Sequence, residues 1–272
     1  MSAAERPYPP KPAEIYFFGT CLVDLLYPDA GLAAVELIER AGVRVIFPQG
    51  QTCCGQPAFN SGYRREAREV ARAQLALFPK PIPIVVPSGS CGAMLAVHYP
   101  DLFPSGAAAA EHARARALAA RVFEWSDFLV NVLRVGLEDR GAPCAVTYHP
   151  SCHLVRELGV ASTPLTLLRQ LSRVRVLPLP EAEQCCGFGG TFSVKHGAIS
   201  AAMVADKCAC VRETGADVLV SMDAGCLMNI AGALEKSRAP RIGPGAGAGA
   251  TAGGGPRVLP LPLFLKERVD GA

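Results

Sequence analysis

Eight cysteines carry the chemistry that this sequence can support, and they fall into one frame written twice. Cys53-Cys54-Gly55 recurs 132 positions later as Cys185-Cys186-Gly187. Cys21 lies 32 positions before the first pair, and Cys152 lies 33 before the second. Cys91 follows the first pair by 37 positions, and Cys226 follows the second by 40. The frame holds eight of the 11 cysteines, which reads as an internal duplication.

Soft thiolate ligands select zinc, copper(I) or iron–sulfur clusters. Four cysteines suit either an all-thiolate zinc site or a cluster. Structural zinc sites commonly use short knuckles with a few residues between two cysteines. Here the close pair is adjacent, and the other two ligands are remote. That spacing favours a larger inorganic object over one small ion, with zinc as the alternative. Gly55 and Gly187 would let the backbone approach such an object closely.

These residues must be positioned by the elements between them. Glu14–Phe18, Val43–Phe47 and Ile82–Val86 read as buried strands in the first half. Ala145–Tyr148, Val174–Leu177 and Asp217–Val220 repeat them in the second. Helical patterns lie between, over 29–41, with Asp29 as its cap and Leu32, Val35, Leu37 and Ile38 as its apolar positions, then 62–78, 153–171 and 193–214. Trp125, Phe128, Leu129, Val132 and Leu133 form an apolar helical stripe between the halves, read as core. The expected fold is α/β, with two pseudo-repeated Rossmann-like halves, parallel sheets, and cysteine loops at the carboxyl ends of strands. The expected boundaries are a flexible tail over 1–13, a first half over 14–140, and a second half over 141–239 plus 257–272. A Gly/Ala-rich flexible loop spans 240–256. Residues 258–269 return to apolar character as a last strand or short helix.

Half of the 272 residues are hydrophobic and 19% are charged, so the chain is globular. A balance of 27 basic and 24 acidic residues gives no support to a nucleic-acid surface. Arg64, Arg65, Arg68 and Arg72 alternate with Glu66 and Glu69 as a solvated helix face. No apolar run reaches the ~20 residues of a membrane span, and the start of the chain lacks a signal-peptide core. The expected location is therefore the cytoplasm, where dense cysteine means metal or redox chemistry.

Four further residues are candidates for supporting or substrate-binding roles. His149 and His153 flank Cys152, where hydrogen bonding to the site is favoured over ligation. Lys195 and His196 follow the second Gly-rich loop and could meet an anionic substrate or partner carboxylate. Cys144, Cys208 and Cys210 read as packing residues. Gly187-Phe188-Gly189-Gly190 is not a dinucleotide fingerprint.

The double frame resembles the cysteine-rich, or CCG, domain family, which includes the cysteine-rich component of heterodisulfide reductase. The strings 47–62 (Phe47 to Gly62), Tyr148-His149-Pro150-Ser151-Cys152-His153 and Cys185 to Phe192 are most similar to its lactate-utilisation protein A branch. That resemblance implies an iron–sulfur electron-transfer subunit of a cytosolic complex oxidising L-lactate to pyruvate. It implies further subunits, one of them a second iron–sulfur protein, and a non-catalytic or co-catalytic role for this chain. The implied ligands are Cys21, Cys53, Cys54 and Cys91 in one half, and Cys152, Cys185, Cys186 and Cys226 in the other. In the heterodisulfide reductase branch each half ends Cys-x-x-Cys, but here those last positions are Met94 and Asn229. Four thiolates per half remain, enough for a 4Fe-4S cluster in each, or for zinc in one. The alternatives are a zinc-stabilised or metal-free interaction subunit, and a thiol redox protein like heterodisulfide reductase.

Overall fold

A computed structural model describes residues 7–104, 108–238 and 255–271. Residues 1–6 of the expected tail lie outside it, as does the Gly/Ala-rich segment 240–256 except Gly255 and Pro256.

The first half runs β1 (Glu14–Phe17), α1 (Cys21–Leu26), α2 (Pro28–Arg40), β2 (Arg44–Ile46), α3 (Gln56–Asn60), α4 (Arg64–Leu77) and β3 (Ile84–Val86). It continues with α5 (Gly89–Ala93), a π-helical turn over Met94–His98, α6 (Tyr99–Leu102), α7 (Ala109–Ala119) and β4 (Val122–Glu124). A junction of α8 (Trp125–Asp127) and a second π-helical segment (Phe128–Leu133) leads on. The second half is β5 (Cys144–Tyr148), α9 (Cys152–Arg156), α10 (Thr163–Arg169), β6 (Val174–Leu177), α11 (Thr191–Lys195) and α12 (Gly197–Glu213). It ends with β7 (Val218–Ser221), α13 (Ala224–Arg238), β8 (Arg257–Pro260) and α14 (Leu261–Asp270).

Each half is a four-stranded parallel sheet, ordered β2-β1-β3-β4 and β6-β5-β7-β8. The registers superimpose: Phe17 pairs with Val85 as Tyr148 pairs with Val220. Alternation along the strands divides the core. Ile15 and Phe17 join Val146, Tyr148, Val218 and Val220 in a core shared by both halves, filled out by α2, α10 and α14. Tyr16, Phe18, Ile84 and Val86 face a core private to the first half. Leu219 and Ile230 belong to the second half's own core. Among the described residues no helix is long and apolar enough to cross a membrane.

The local differences from expectation have physical causes. Asp29 does not cap α2: Pro28 starts the helix with its fixed φ, Tyr27 is the cap, and Asp29 falls in the first turn. Leu32 is 67% exposed, because the buried stripe of α2 is Ala30, Ala33, Ala34, Leu37 and Ile38. Strand β4 was not expected, since it is three residues long and ends on a glutamate. The Trp125 stripe is buried at Trp125, Phe128, Leu129 and Val132, although much of its helix is π-wound. Arg72 of the solvated face pairs with Glu111, and Arg68 donates to the Leu102 carbonyl at 2.6 Å.

Candidate metal centre

Every framework cysteine sits where a parallel strand ends. Cys21 follows β1, Cys53 and Cys54 follow β2, and Cys91 follows β3. Cys152, Cys185 with Cys186, and Cys226 follow β5, β6 and β7. All eight line one cavity of about 330 Å³ at the meeting of the halves. Burial follows the same gradient in each half. Cys54 and Cys186 are each 2% exposed, Cys91 is 9% and Cys226 8%, while Cys21 is exposed and Cys152 half-buried.

Short-range chemistry sets each loop. Thr20 and Ser151, one residue before the first cysteine, cap α1 and α9 by accepting from Val23 N and Leu154 N, each at 3.4 Å. Gly55 and Gly187 have φ of +88° and +82°, a region open to glycine. That conformation turns the Gly55 N–H onto Cys53 Sγ and the Gly187 N–H onto Cys185 Sγ, both at 3.4 Å. A Cβ on Gly187 would lie 2.7 Å from the Ser200 carbonyl oxygen. Cysteine-cysteine-glycine is thus a turn that brings two thiols to the cavity wall and hydrogen-bonds the first.

The pair is braced from behind by different residues in the two halves. Tyr99 Oη donates to the Cys54 carbonyl at 3.0 Å, and Asn229 Nδ2 donates to the Cys186 carbonyl at 2.8 Å. Asn229 therefore holds the loop of the second pair. Met94 is fully buried in core. Gln51 ties its loop to β1, accepting from Gly19 N at 3.0 Å and donating to Phe17 O at 2.9 Å.

Within each quartet the thiols hydrogen-bond in series. Cys54 Sγ lies 3.4 Å from Cys91 Sγ. Donation from the Cys21 and Cys54 thiols holds Cys53 down to about 3. Donation from Cys152 and Cys186 holds Cys185 down to about 2. Their donors Cys21, Cys54, Cys152 and Cys186 are pushed up, first by those same bonds. Each half therefore gathers four close-set sulfur donors, a set suited to thiophilic metals. His149, Cys186 and Cys226 place their ligand atoms within 4.8 Å of one another.

His149 is 1% exposed, and burial lowers it to about 4, so it is a neutral imidazole. His153 lines the cavity, with Nδ1 3.5 Å from Cys152 Sγ. Lys195 and His196 do not line it: Lys195 lies 5.3 Å over the Tyr63 ring, and the His196 ring is 5.2 Å from that of Phe192. Cys208 is buried and its thiol faces the Ile230 carbonyl at 3.7 Å. Cys144 is half-buried, 3.6 Å from Arg268.

Sequence reasoning missed Ser88, Ser90 and Asp223. Asp223 Oδ1 accepts from Ser88 Oγ at 2.8 Å, Ser90 Oγ at 2.5 Å and Ser90 N at 3.2 Å, joining the halves at the cavity floor. The residue at the start of the helix that carries the last cysteine, Ser88 or Asp223, was the available signal.

This repeated scaffold defines a recognisable class. The family model of the cysteine-rich domain (CCG) matches residues 15–96 and 146–231, one match in each half. The chain belongs to the cysteine-rich CCG domain family. It is 48% identical to Lactate utilization protein A of Bacillus licheniformis over 229 residues, which is 84% of this chain and 94% of that protein. The protein of the same name from Geobacillus kaustophilus is 49% identical with the same coverage. A solved structure, a hypothetical protein from Helicobacter pylori, matches with a TM-score of 0.61 at 13% identity. That match covers 98% of this chain and 51% of the other, and shows likeness of fold.

Proposed function

We propose that the chain is an iron–sulfur electron-transfer subunit of a cytoplasmic complex that oxidises L-lactate to pyruvate. Each quartet would hold one 4Fe-4S cluster: Cys21, Cys53, Cys54 and Cys91 in one half, Cys152, Cys185, Cys186 and Cys226 in the other. The carrying observation is the convergence of all eight thiols on one cavity. The lactate-utilisation name of relatives aligned over most of both chains supports the assignment to lactate oxidation. When bound, the clusters supply one-electron storage. The protein's own residues hold the thiols at strand ends, donate backbone N–H groups to Cys53 and Cys185, and keep the inner cysteines from solvent.

The cavity also argues that lactate is oxidised on a partner. Among the described residues that line it there is no lysine or arginine, so they offer no cationic fork for a carboxylate. The partners would be other subunits of the complex, including a second iron–sulfur protein.

A zinc reading has one observation in its favour. Two sulfurs on one tetrahedral zinc lie about 3.8 Å apart, given a Zn–S bond of about 2.3 Å. The 3.4 Å between Cys54 and Cys91 is near that spacing. The visible spectrum of anaerobically purified protein separates the two. Clusters give a brown protein that bleaches on reduction, whereas zinc gives a colourless one indifferent to reductant.

A further inference from the structure

The pseudo-symmetry of the two halves breaks beside the thiols. Phe18 and His149 occupy the same place. Each follows the last residue of a central strand, and each donates its backbone N–H to the neighbouring strand, to Val85 O and Val220 O, both at 2.9 Å. Phe18 is fully buried and packs in one apolar cluster with Cys54 and Cys91. His149 instead puts an imidazole within 4.8 Å of Cys186 Sγ and Cys226 Sγ. Neither of its ring nitrogens has a hydrogen-bond partner, although the residue is 1% exposed. A buried polar group left unpaired is destabilising. A sulfur ligand carrying negative charge is the acceptor that this position lacks.

A second pair repeats the asymmetry. The Cβ positions of Gly55 and Gly187 meet the carbonyl oxygens of Ala67 and Ser200, and the side chains of Val70 and Met203. Those contacts align α4 with α12 and set Gln74 opposite Lys207. Gln74 is 1% exposed and donates to Thr52 Oγ1 at 2.8 Å. Lys207 is fully buried, and its Nζ donates to Glu181 O at 2.5 Å and Ala182 O at 3.4 Å, both in the loop that carries Cys185. Burial works against the ammonium, while the neighbouring cysteines, Cys210 first and then Cys186 and Cys185, favour it.

We propose that the two quartets are inequivalent redox centres, with the second held at the higher reduction potential by His149 and Lys207. This rests on the reading that each quartet holds an iron–sulfur centre. Reduction adds negative charge to a centre. An N–H dipole and an ammonium beside it stabilise the reduced form more than the oxidised one. A phenyl ring and a neutral amide in the first half do so far less, and the Asp223 carboxylate, which works the other way beside Cys152 and Cys226, is hydrogen-bonded by Ser88 and Ser90 of the first half. Electrons that enter the chain therefore settle on the second centre: one electron leaves the first and arrives on the second, with no bond made or broken. The flow runs from the Cys21 quartet to the Cys152 quartet.

The test is a redox titration of the full anaerobic chain, followed by electron paramagnetic resonance, with iron and sulfide assayed on the same samples. The wild type should show two separate steps, with the upper one missing from Cys185→Ser and the lower one missing from Cys53→Ser. His149→Phe and Lys207→Gln, which copy the first half, should each move the upper step to lower potential and leave the lower step in place. Should His149→Phe lose its iron, Lys207→Gln and the reverse exchange Phe18→His carry the test, the latter raising the lower step. The proposal is overturned if the upper step belongs to the first quartet. It is equally overturned if the exchanges retain iron and leave both potentials unmoved. Absence of iron and sulfide from the wild type would instead defeat the underlying cluster reading, and the assay reports that separately.

Discussion

Ser88 and Asp223 hold equivalent positions in their own halves, two residues past a strand end, and are hydrogen-bonded to each other at 2.8 Å. Asp223 also accepts from both the backbone and side chain of Ser90. One buried carboxylate therefore satisfies three donors across the junction beneath the thiols. Hydrogen bonds to a charged group contribute about 1.5–3 kcal/mol, and stranded donors add to the loss. Asp223→Ala should lower unfolding stability by about 2–3 kcal/mol on that scale, and Ser88→Ala by less. Urea denaturation of the two single variants and the double checks this. Additive losses would show that the pair does not act as one contact.

The same junction sets a steric prediction. A Cβ on Gly89 would lie 2.5 Å from Leu154 Cβ and 2.9 Å from Ser151 Oγ, both in the other half. Gly89→Ala should therefore cost about 1–3 kcal/mol through overpacking. Gly232, inside α13, has nothing within 4 Å of its Cβ position. Gly232→Ala should stabilise by up to about 1 kcal/mol, the helix preference for alanine. Melting temperatures of the two variants should move in opposite directions.

Glu124 gives a pH prediction. It is 2% exposed, and burial raises its carboxyl to about 8. Its Oε2 accepts from Ser126 N at 2.9 Å and Asp127 N at 3.1 Å, and also from Ser126 Oγ. Between about 4.5 and 8 the folded chain holds a proton that the unfolded chain releases. The contribution is full below the lower value and is lost as pH rises through the upper one. Glu124→Gln, which cannot ionise, should lack that loss. Its stability relative to wild type should therefore improve from pH 5 to pH 9. A difference that stays constant with pH would contradict the assignment.

Much of the fold was legible because it rests on local signals. Val174–Leu177 is a strand with the bounds that its β-branched run suggests. Strand–helix alternation is enough to bring the cysteine loops to one edge. Strand β4 was hidden because three residues ending on a glutamate carry no alternation, and its glutamate caps the helix that follows at once. The contact of Ser88 with Asp223 spans 135 positions and leaves no local trace. Lys207 sits in a helix whose sequence gives no sign that a lysine is fully buried there. Lys195 and His196 looked close to the site because they are near Cys186 in sequence, but α11 leaves them on the outside.

The central claim is that each quartet binds its own iron–sulfur centre. It is tested most directly by counting iron and acid-labile sulfide per chain in anaerobic wild type, Cys53→Ser and Cys185→Ser. Two clusters in the wild type and one in each variant is the predicted result. Zinc without sulfide in the wild type, or loss of all iron from a folded single variant, would contradict it.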